Sequence, residues 1–365
     1  MIEFASGSKD NIKKTIEHYN EQLDLLKTNK IKEPIKDSKK GNWTRDWLNQ
    51  LKKYRVMIED KNEYRKAFYR PFTTTNTYFE DDLNQERYQL PKLFPKTDME
   101  NLVISITGLG TNKDFSSIIT NKIPDLQLLA NGQSFPLYYY EEIDKKSQSL
   151  FDQAHEGEKD YIRRDGISDF ILERAKKQYG KNVTKEDIFY YVYGFLHSPE
   201  YRETFTSDLK KMLPRLPLLD DVRDFWAFSK AGRKLADLHI NYETVEAYPD
   251  AIVSGAESEF FKVEKMRFPK KDQKETINFN SKITVSNIPL KAYEYVINGK
   301  SAIEWIMERY QVSTHKESGI KNNPNDWAEE VGNPRYILDL LLSIINVSVQ
   351  SVEITNDLPK NQFNQ

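Results

Sequence analysis

The stretch LVISITGLGTNKDFSS, residues 102–117, decides how the rest of the chain is read. Its first half, Leu102-Val103-Ile104-Ser105-Ile106, is rich in β-branched residues that stiffen an extended backbone and pack well on a pleated surface. This five-residue run, closed by Gly108 and Gly110, predicts a buried strand running into a turn, not a helix. Outward from it, Leu126–Leu129 and Phe135–Tyr140 are two more strand candidates, parted by the turn signal Asn131-Gly132. Upstream, Val56–Ile58 and Asn76–Phe79 also read as extended. Short strands with polar loops predict a mixed α/β part over residues 56–150.

The flanks read as helical. Ile12, Ile16, Tyr19, Leu23 and Leu26 recur on one face of a helix over residues 10–30. Lys27–Lys40 holds six lysines against two acids and reads as a solvated linker, with phosphate contact as the other reading. A second helix over Thr44–Tyr54 completes a helical spacer, residues 1–55. A helical region is expected over 151–245. It opens with a polar loop, residues 151–166, and continues with Ile167–Tyr179, which Gly180 stops. Thr184 and Asp187 make a capping box, and Ser198-Pro199 starts a helix with Tyr201, Phe205, Leu209 and Met212 on one face up to Pro214. Asp221–Asn241 carries another helix, expected to break near Gly232. In the last part, 246–365, Phe260–Phe268, Thr276–Phe279 and Lys282–Val285 predict a three-stranded antiparallel meander turning at Asn280-Ser281. Helices follow Ser301, capped with Glu304, and Asn333-Pro334. The fold class expected is α+β: a helical N-terminal spacer, a mixed α/β domain with a helical insertion, and a small antiparallel meander.

A length of 365 residues fits two or three domains. The chain has no cysteine, which excludes disulfides, cysteine-ligated zinc, iron–sulfur clusters and thiol nucleophiles, and fits a cytoplasmic setting. The opening MIEFASGSKD lacks the apolar stretch of a signal peptide. The longest apolar run, Tyr336–Val349, is shorter than the roughly 20 residues of a membrane span and predicts a buried helix. With 54 Lys and Arg against 56 Asp and Glu, the net charge of −2 argues against an indiscriminate nucleic-acid binder and leaves a site-reading one open.

Enzyme motifs are missing. Gly108-Leu109-Gly110-Thr111-Asn112-Lys113 has the wrong spacing for a phosphate loop, and no Rossmann glycine triplet follows a strand. No two prolines are adjacent, so the Asn/Asp-Pro-Pro-Tyr element of amino-methyltransferases is absent. The histidines His18, His155, His197, His239 and His315 form no metal-ligand spacing. Asp250, Asp272 and Lys274 sit in a charged loop that reads as solvated surface, not a nuclease centre. Tyr138–Tyr140 and Phe189–Tyr193 could stack bases, but at strand and helix periodicity they read as core.

Several phrases nevertheless occur together: Phe68-Tyr69-Arg70-Pro71-Phe72; Leu90-Pro91-Lys92-Leu93-Phe94-Pro95; Ser105–Lys113 with Phe115-Ser116-Ser117 and Ile123-Pro124-Asp125-Leu126; Phe135–Tyr140; Lys185–Gly194 running into His197-Ser198-Pro199-Glu200-Tyr201-Arg202; Gly299-Lys300-Ser301-Ala302 with Glu304–Tyr310; and Asn325-Asp326-Trp327 with Gly332–Tyr336. In this order they resemble the C-terminal specificity region of type ISP restriction–modification enzymes, the LlaGI and LlaBIII kind. The resemblance is strongest from residue 68 onward and weakest before residue 42.

That resemblance implies a target-recognition part working beside nuclease, translocating ATPase and adenine methyltransferase modules, whose motifs lie outside this chain. The chain is then an excised piece, a truncated gene or a separate subunit. It implies double-stranded DNA as partner, together with the methyltransferase and translocase modules of the same system, in a bacterial cytoplasm and without a membrane. S-adenosylmethionine, ATP and Mg would belong to those modules, leaving no catalysis and no cofactor here. A reader of DNA needs phosphate contacts and side chains matched to base edges. Thr111, Asn112, Lys113, Ser116 and Ser117 have suitable chemistry on a loop after a strand, read either as DNA-facing or as an ordinary connection. Arg70, held extended by Pro71, could reach DNA or pair with an acid. Lys270, Lys271 and Lys274 could contact phosphates from a hairpin loop, with Lys282 a further basic candidate. The rival class is a protein-interaction module docking a methyltransferase or helicase.

Overall fold

The computed structural model describes residues 9–37, 40, 43–81, 84, 87–143, 161–314, 316 and 321–360. Helix α1 (Lys9–Lys27) buries Ile12, Ile16, Tyr19 and Leu23 on one face. Helix α2 (Arg45–Lys52) begins where the Thr44 hydroxyl accepts the Trp47 amide. Trp47 and Leu51 pack on α1 in a small core that also takes in Met57 and Tyr78. Val56–Ile58, expected to be extended, joins no strand. The Asn20 side chain takes the place of a neighbouring strand, accepting the Met57 N–H and donating to the Met57 carbonyl.

Strands β1 (Tyr64–Arg70) and β2 (Thr73–Tyr78) form an antiparallel hairpin with a bulge between Phe68 and Arg70. The charged Arg65, Lys66 and Arg70, which break any apolar alternation, concealed β1 from pattern reading. After the short helix α3 (Leu90–Leu93) comes β3 (Val103–Ile106), the strand expected from the opening stretch, buried throughout. Strand β4 (Ser117–Thr120) pairs with it, β5 (Ile123–Pro124) leaves to join β1 in parallel, and β6 (Gln133–Pro136) returns to the other edge of β3. Leu126–Leu129 is a turn and not the expected strand. The Asp125 carboxylate accepts the Gln127 amide and folds the chain back, while Leu128 and Leu129 still reach the core. Phe135–Tyr140 is divided at Leu137, whose amide donates to Leu102; Tyr138 opens β7 (Tyr138–Glu142) in another sheet. Its antiparallel partner β8 (Tyr161–Asp165) occupies part of the expected polar loop, 151–166. The first ten residues of that loop, His155 among them, lie outside the described residues, as does His315.

Helices α4 (Asp169–Tyr179), α5 (Lys185–Phe195), α6 (Pro199–Thr204) and α7 (Val222–Ile240) follow. The Thr184–Asp187 capping box forms as expected. Helix α6 stops at Thr204, well before Pro214, where the Thr206 hydroxyl bonds back to the Arg202 and Glu203 carbonyls and turns succeed it. Helix α7 runs unbroken through Gly232. That glycine faces Gly194 of α5: a methyl at Gly232 would stand 1.9 Å from the Tyr190 carbonyl oxygen. The two glycines let the helix backbones touch, which a larger residue at either position prevents.

In the last part, β9 (Ile252–Ser254), β10 (Ile277–Asn278) and β11 (Thr284–Ser286) form the antiparallel sheet, in the order β10-β11-β9. Phe260–Phe268 supplies only an isolated bridge from Arg267 to Asn278, because Val263 and Met266 turn into the core. A hairpin of β12 (Val296–Ile297) and β13 (Lys300–Ser301) leads into α8 (Ala302–Arg309). The pair β14 (Ser313–Thr314) and β15 (Lys321–Asn322) precedes α9 (Asn325–Glu330) and α10 (Tyr336–Asn356). Helix α10 is long and apolar enough to cross a membrane, but it is mostly buried. Apolar on all sides, it is the central helix of the largest core, as expected of a helix surrounded by protein.

The cores join distant segments. Phe68 and Phe72 pack with the β9–β11 sheet, α8 and α10, whereas Ile104, Ile106 and Ile119 pack with the aromatics of α5 and α7. The β3–β4–β6 sheet is therefore backed by helices at the base of its loops.

Candidate nucleic-acid interface

Antiparallel pairing places Ile106 opposite both Ser117 and Gln133. The loop 107–116 and the turn 130–132 thus leave the same end of the sheet. A third turn, Asn298-Gly299 of the β12–β13 hairpin, sits against them. The Asn298 amide donates to Ser116 Oγ at 2.8 Å, and Asn298 Oδ1 accepts the Ala130 amide at 3.3 Å. Gly108 donates to the Ala130 carbonyl, and Asn131 Nδ2 donates to the Leu109 carbonyl at 3.1 Å. The fit is close: a methyl at Gly108 would lie 1.6 Å from the Asn131 carbonyl oxygen. Gly110, Asn131, Asn298 and Gly299 all take positive φ, the conformation that glycine and asparagine tolerate best in tight turns.

Within this cluster the proposed contact residues separate. Asn112 and Lys113 are exposed at the tip, and Thr111 is half-buried, its hydroxyl accepting the Lys113 amide. The Lys113 side chain lies beside Gly299 of the neighbouring turn. Ser116 and Ser117, expected at the same surface, are buried instead. Ser116 Oγ holds the Asn298 turn and Ser117 Oγ accepts from Arg202 at 3.2 Å. They fix the loop's shape from behind. Residues that pattern reading passed over join the surface: Asn131, Gln133 and Gly299 are exposed, and Asn298 and Lys300 are half-buried. Asn131-Gly132 was legible as a turn, but no local signal tied it to residues 107–116 or to Asn298.

Arg70 points inward. The bulge before it aims its guanidinium at Asp125, with Nη1 at 2.8 Å from Oδ1 and both side chains largely buried. The same carboxylate shapes the turn leading to residues 130–132, so Arg70 supports the cluster and does not present itself at the surface. Lys274 is half-buried, pairs with Glu304 at 2.9 Å and lies over Phe268 and Tyr293. Burial pushes the Glu304 carboxyl up, but hydrogen bonds from Lys274 and Ser301 outweigh it and leave its pKa below the usual range. That pair anchors the start of α8, immediately after the Lys300 hairpin. Lys270, Lys271 and Lys282 are exposed on the β10–β11 side of the molecule. Asn280, beside Lys282, is committed to the Phe260 and Lys262 carbonyls. Tyr140, Phe189, Tyr191 and Tyr193 are core residues and offer no stacking face.

Chemically, the cluster presents amides, a hydroxyl and an ammonium on turns whose backbones are cross-braced. Asparagine and glutamine match adenine edges, threonine is versatile, and lysine suits guanine or phosphate.

The chain matches the family described as Type ISP C-terminal specificity domain over residues 5–340. Among solved structures it is similar to the ATP-dependent Type ISP restriction–modification enzyme LlaBIII bound to DNA, with 34% identity and a TM-score of 0.83 over 98% of this chain and 22% of that one. It is similar to a nuclease-deletion mutant of the Type ISP enzyme LlaGI in complex with a DNA substrate mimic, with 34% identity and a TM-score of 0.78 over 96% of this chain and 26% of that one. The cryo-EM structure of a DrdV–DNA complex matches with 26% identity and a TM-score of 0.79, over 98% of this chain and 35% of that one. No curated protein matches the chain. The chain thus spans 22% to 35% of the length of these solved enzymes.

Proposed function

This chain belongs to the Type ISP C-terminal specificity domain family, and from that premise we propose that it recognises a sequence in double-stranded DNA on behalf of a larger restriction–modification enzyme in the bacterial cytoplasm. The observation that carries the reading is the braced three-turn surface, with Thr111, Asn112 and Lys113 at its tip, on a fold shared with three DNA-bound enzymes. Asn112 and the exposed Gln133 supply amides for base edges, while Asn131 and Asn298 brace the turns that carry them; Lys113, Lys270, Lys271 and Lys282 supply charge for phosphates. S-adenosylmethionine, ATP and Mg are assigned to methyltransferase and translocase modules outside this chain, which contributes placement of the target and no bond-making step of its own.

The net charge of −2 is compatible with that role, because bulk attraction to DNA can come from the rest of the enzyme. Selection from a randomised duplex pool by the purified chain tests it: one enriched sequence, bound more tightly than its scrambled version, is expected. Binding without any enriched sequence would contradict it.

A second reading is favoured by one observation. Tyr54, Val56 and Ile58 are exposed along the extended segment after α2, Ile58 by 80%. Such a patch suits docking of a neighbouring module. Deleting residues 1–55 would also uncover the buried Tyr78, so the cleaner test is Val56→Ser with Ile58→Ser. Loss of co-purification with the methyltransferase module, with DNA affinity unchanged, would establish docking as a separate role.

A further inference from the structure

A basic surface flanks the recognition loop. Lys210 Nζ lies 3.3 Å from Asp114 Oδ1, fastening the turns after α6 to the loop. Arg202, on α6, donates through Nε to the Leu196 carbonyl at 2.6 Å and through Nη2 to Ser117 Oγ at 3.2 Å, and lies over the Phe115 ring. Its polar surroundings are Tyr193, His197 and Tyr295, and among the described residues it has no carboxylate partner. Half-buried there and held by these bonds, Arg202 braces the loop from behind, and the exposed charge lies beyond it. Lys211 and Arg215 are exposed and likewise have no carboxylate partner among the described residues.

The segment is also held in place. Tyr201 Oη donates to the Arg215 carbonyl at 3.2 Å, and Tyr191 Oη donates to the Pro217 carbonyl at 2.6 Å. From Leu209 to Arg215 the sequence places three cations and no acid, in a chain whose overall charge is slightly negative. Local cation density on a pinned backbone, next to turns that offer base-reading groups, is the arrangement a duplex requires. Phosphates are gripped on one side and base edges are faced on the other.

We propose that Lys210, Lys211 and Arg215 form a phosphate-gripping wall along one flank of the loop 107–116, holding the sugar–phosphate backbone while Thr111–Lys113 face the groove. This rests on the DNA-recognition reading and adds a set of contacts that reading does not contain. The Lys210–Asp114 pair is exposed, so giving it up to a phosphate costs little.

The test uses the full chain and a 30-base-pair duplex of randomised sequence, with binding followed by fluorescence anisotropy over a salt series. The triple variant Lys210→Gln, Lys211→Gln, Arg215→Gln removes exposed charge only. The slope of log affinity against log salt should become shallower by about 2 to 3, at roughly 0.9 for each phosphate no longer neutralised. An unchanged slope in the triple variant overturns the wall and leaves the recognition reading standing. A wild-type chain that binds no duplex overturns the recognition reading, and the wall with it.

Discussion

Replacing Gly232 with alanine separates two physical expectations by sign. In a helix interior, glycine to alanine gains about 1 kcal/mol from backbone entropy. Gly232 lies well inside α7, so propensity alone predicts a stabilised protein. The packing predicts the reverse. The new methyl would stand 1.9 Å from Tyr190 O, 2.8 Å from Tyr190 C and 2.9 Å from Gly194 N. All three are backbone atoms, so no side chain can rotate away. Reaching the 3.4 Å of ordinary contact requires α5 and α7 to part by about 1.5 Å at their crossing. That movement loosens Phe225, Phe228, Tyr191 and Phe195, which stack across the crossing. Overpacking costs about 1–3 kcal/mol where side chains can adjust. With backbone on both sides the upper end applies, giving a net loss of about 2 kcal/mol after the propensity gain. Urea unfolding followed by far-UV circular dichroism measures it. A lower midpoint at unchanged slope is expected. Because Tyr193 Oη of α5 accepts the Ile119 amide of β4, DNA affinity should fall as well. A Gly232→Ala protein as stable as wild type, or more so, would refute the close helix contact.

Acid should weaken the fold at unusually mild pH. Burial pulls His239 down to about 3, and burial with the nearby Arg202 charge holds His197 well below its ordinary value. Both titrate near 6.5 in the unfolded chain, so as pH falls below 6.5 only the unfolded state takes up these protons, and stability drops by about 1.4 kcal/mol per unit for each. Urea midpoints at pH 7.5 and 5.5 should therefore differ clearly; equal midpoints would contradict the buried neutral histidines. Ser301→Ala removes one half of the α8 capping box and should cost about 1 kcal/mol, read as a lowered melting temperature, with a shift of the β12–β13 hairpin. Asn112→Ala should leave salt dependence intact but relax preference at one base pair by about 1–3 kcal/mol, while Lys113→Ala should instead flatten the salt slope by about 1. Competition with single-position site variants distinguishes the two.

Legibility followed the range of each interaction. The strand Val103–Ile106, both capping boxes and the helix face of Ile12–Leu23 depend on neighbours a few residues apart, and all were readable. Gly232 carried a correct local signal with the wrong consequence: glycine weakens a helix alone, but here it serves a backbone contact with a helix some 40 residues earlier. Ser116 and Ser117 look like loop side chains until Asn298 and Arg202, both far along the chain, are brought to them. For Arg70, pairing with an acid was one of the two readings, but local sequence could not name the partner, because Asp125 follows 55 residues later. The loop 107–116 could be delimited from its own residues, whereas its meeting with the other two turns of the cluster could not, since only sheet register and the Asn298 bonds bring them to it.

The central claim is that the three turns form the DNA-facing surface. Amide hydrogen exchange of the chain with and without a selected duplex tests it most directly. The account predicts added protection concentrated in residues 107–116, 130–132 and 298–300. Protection confined to other surfaces, with these three segments unchanged in the presence of bound duplex, would contradict it.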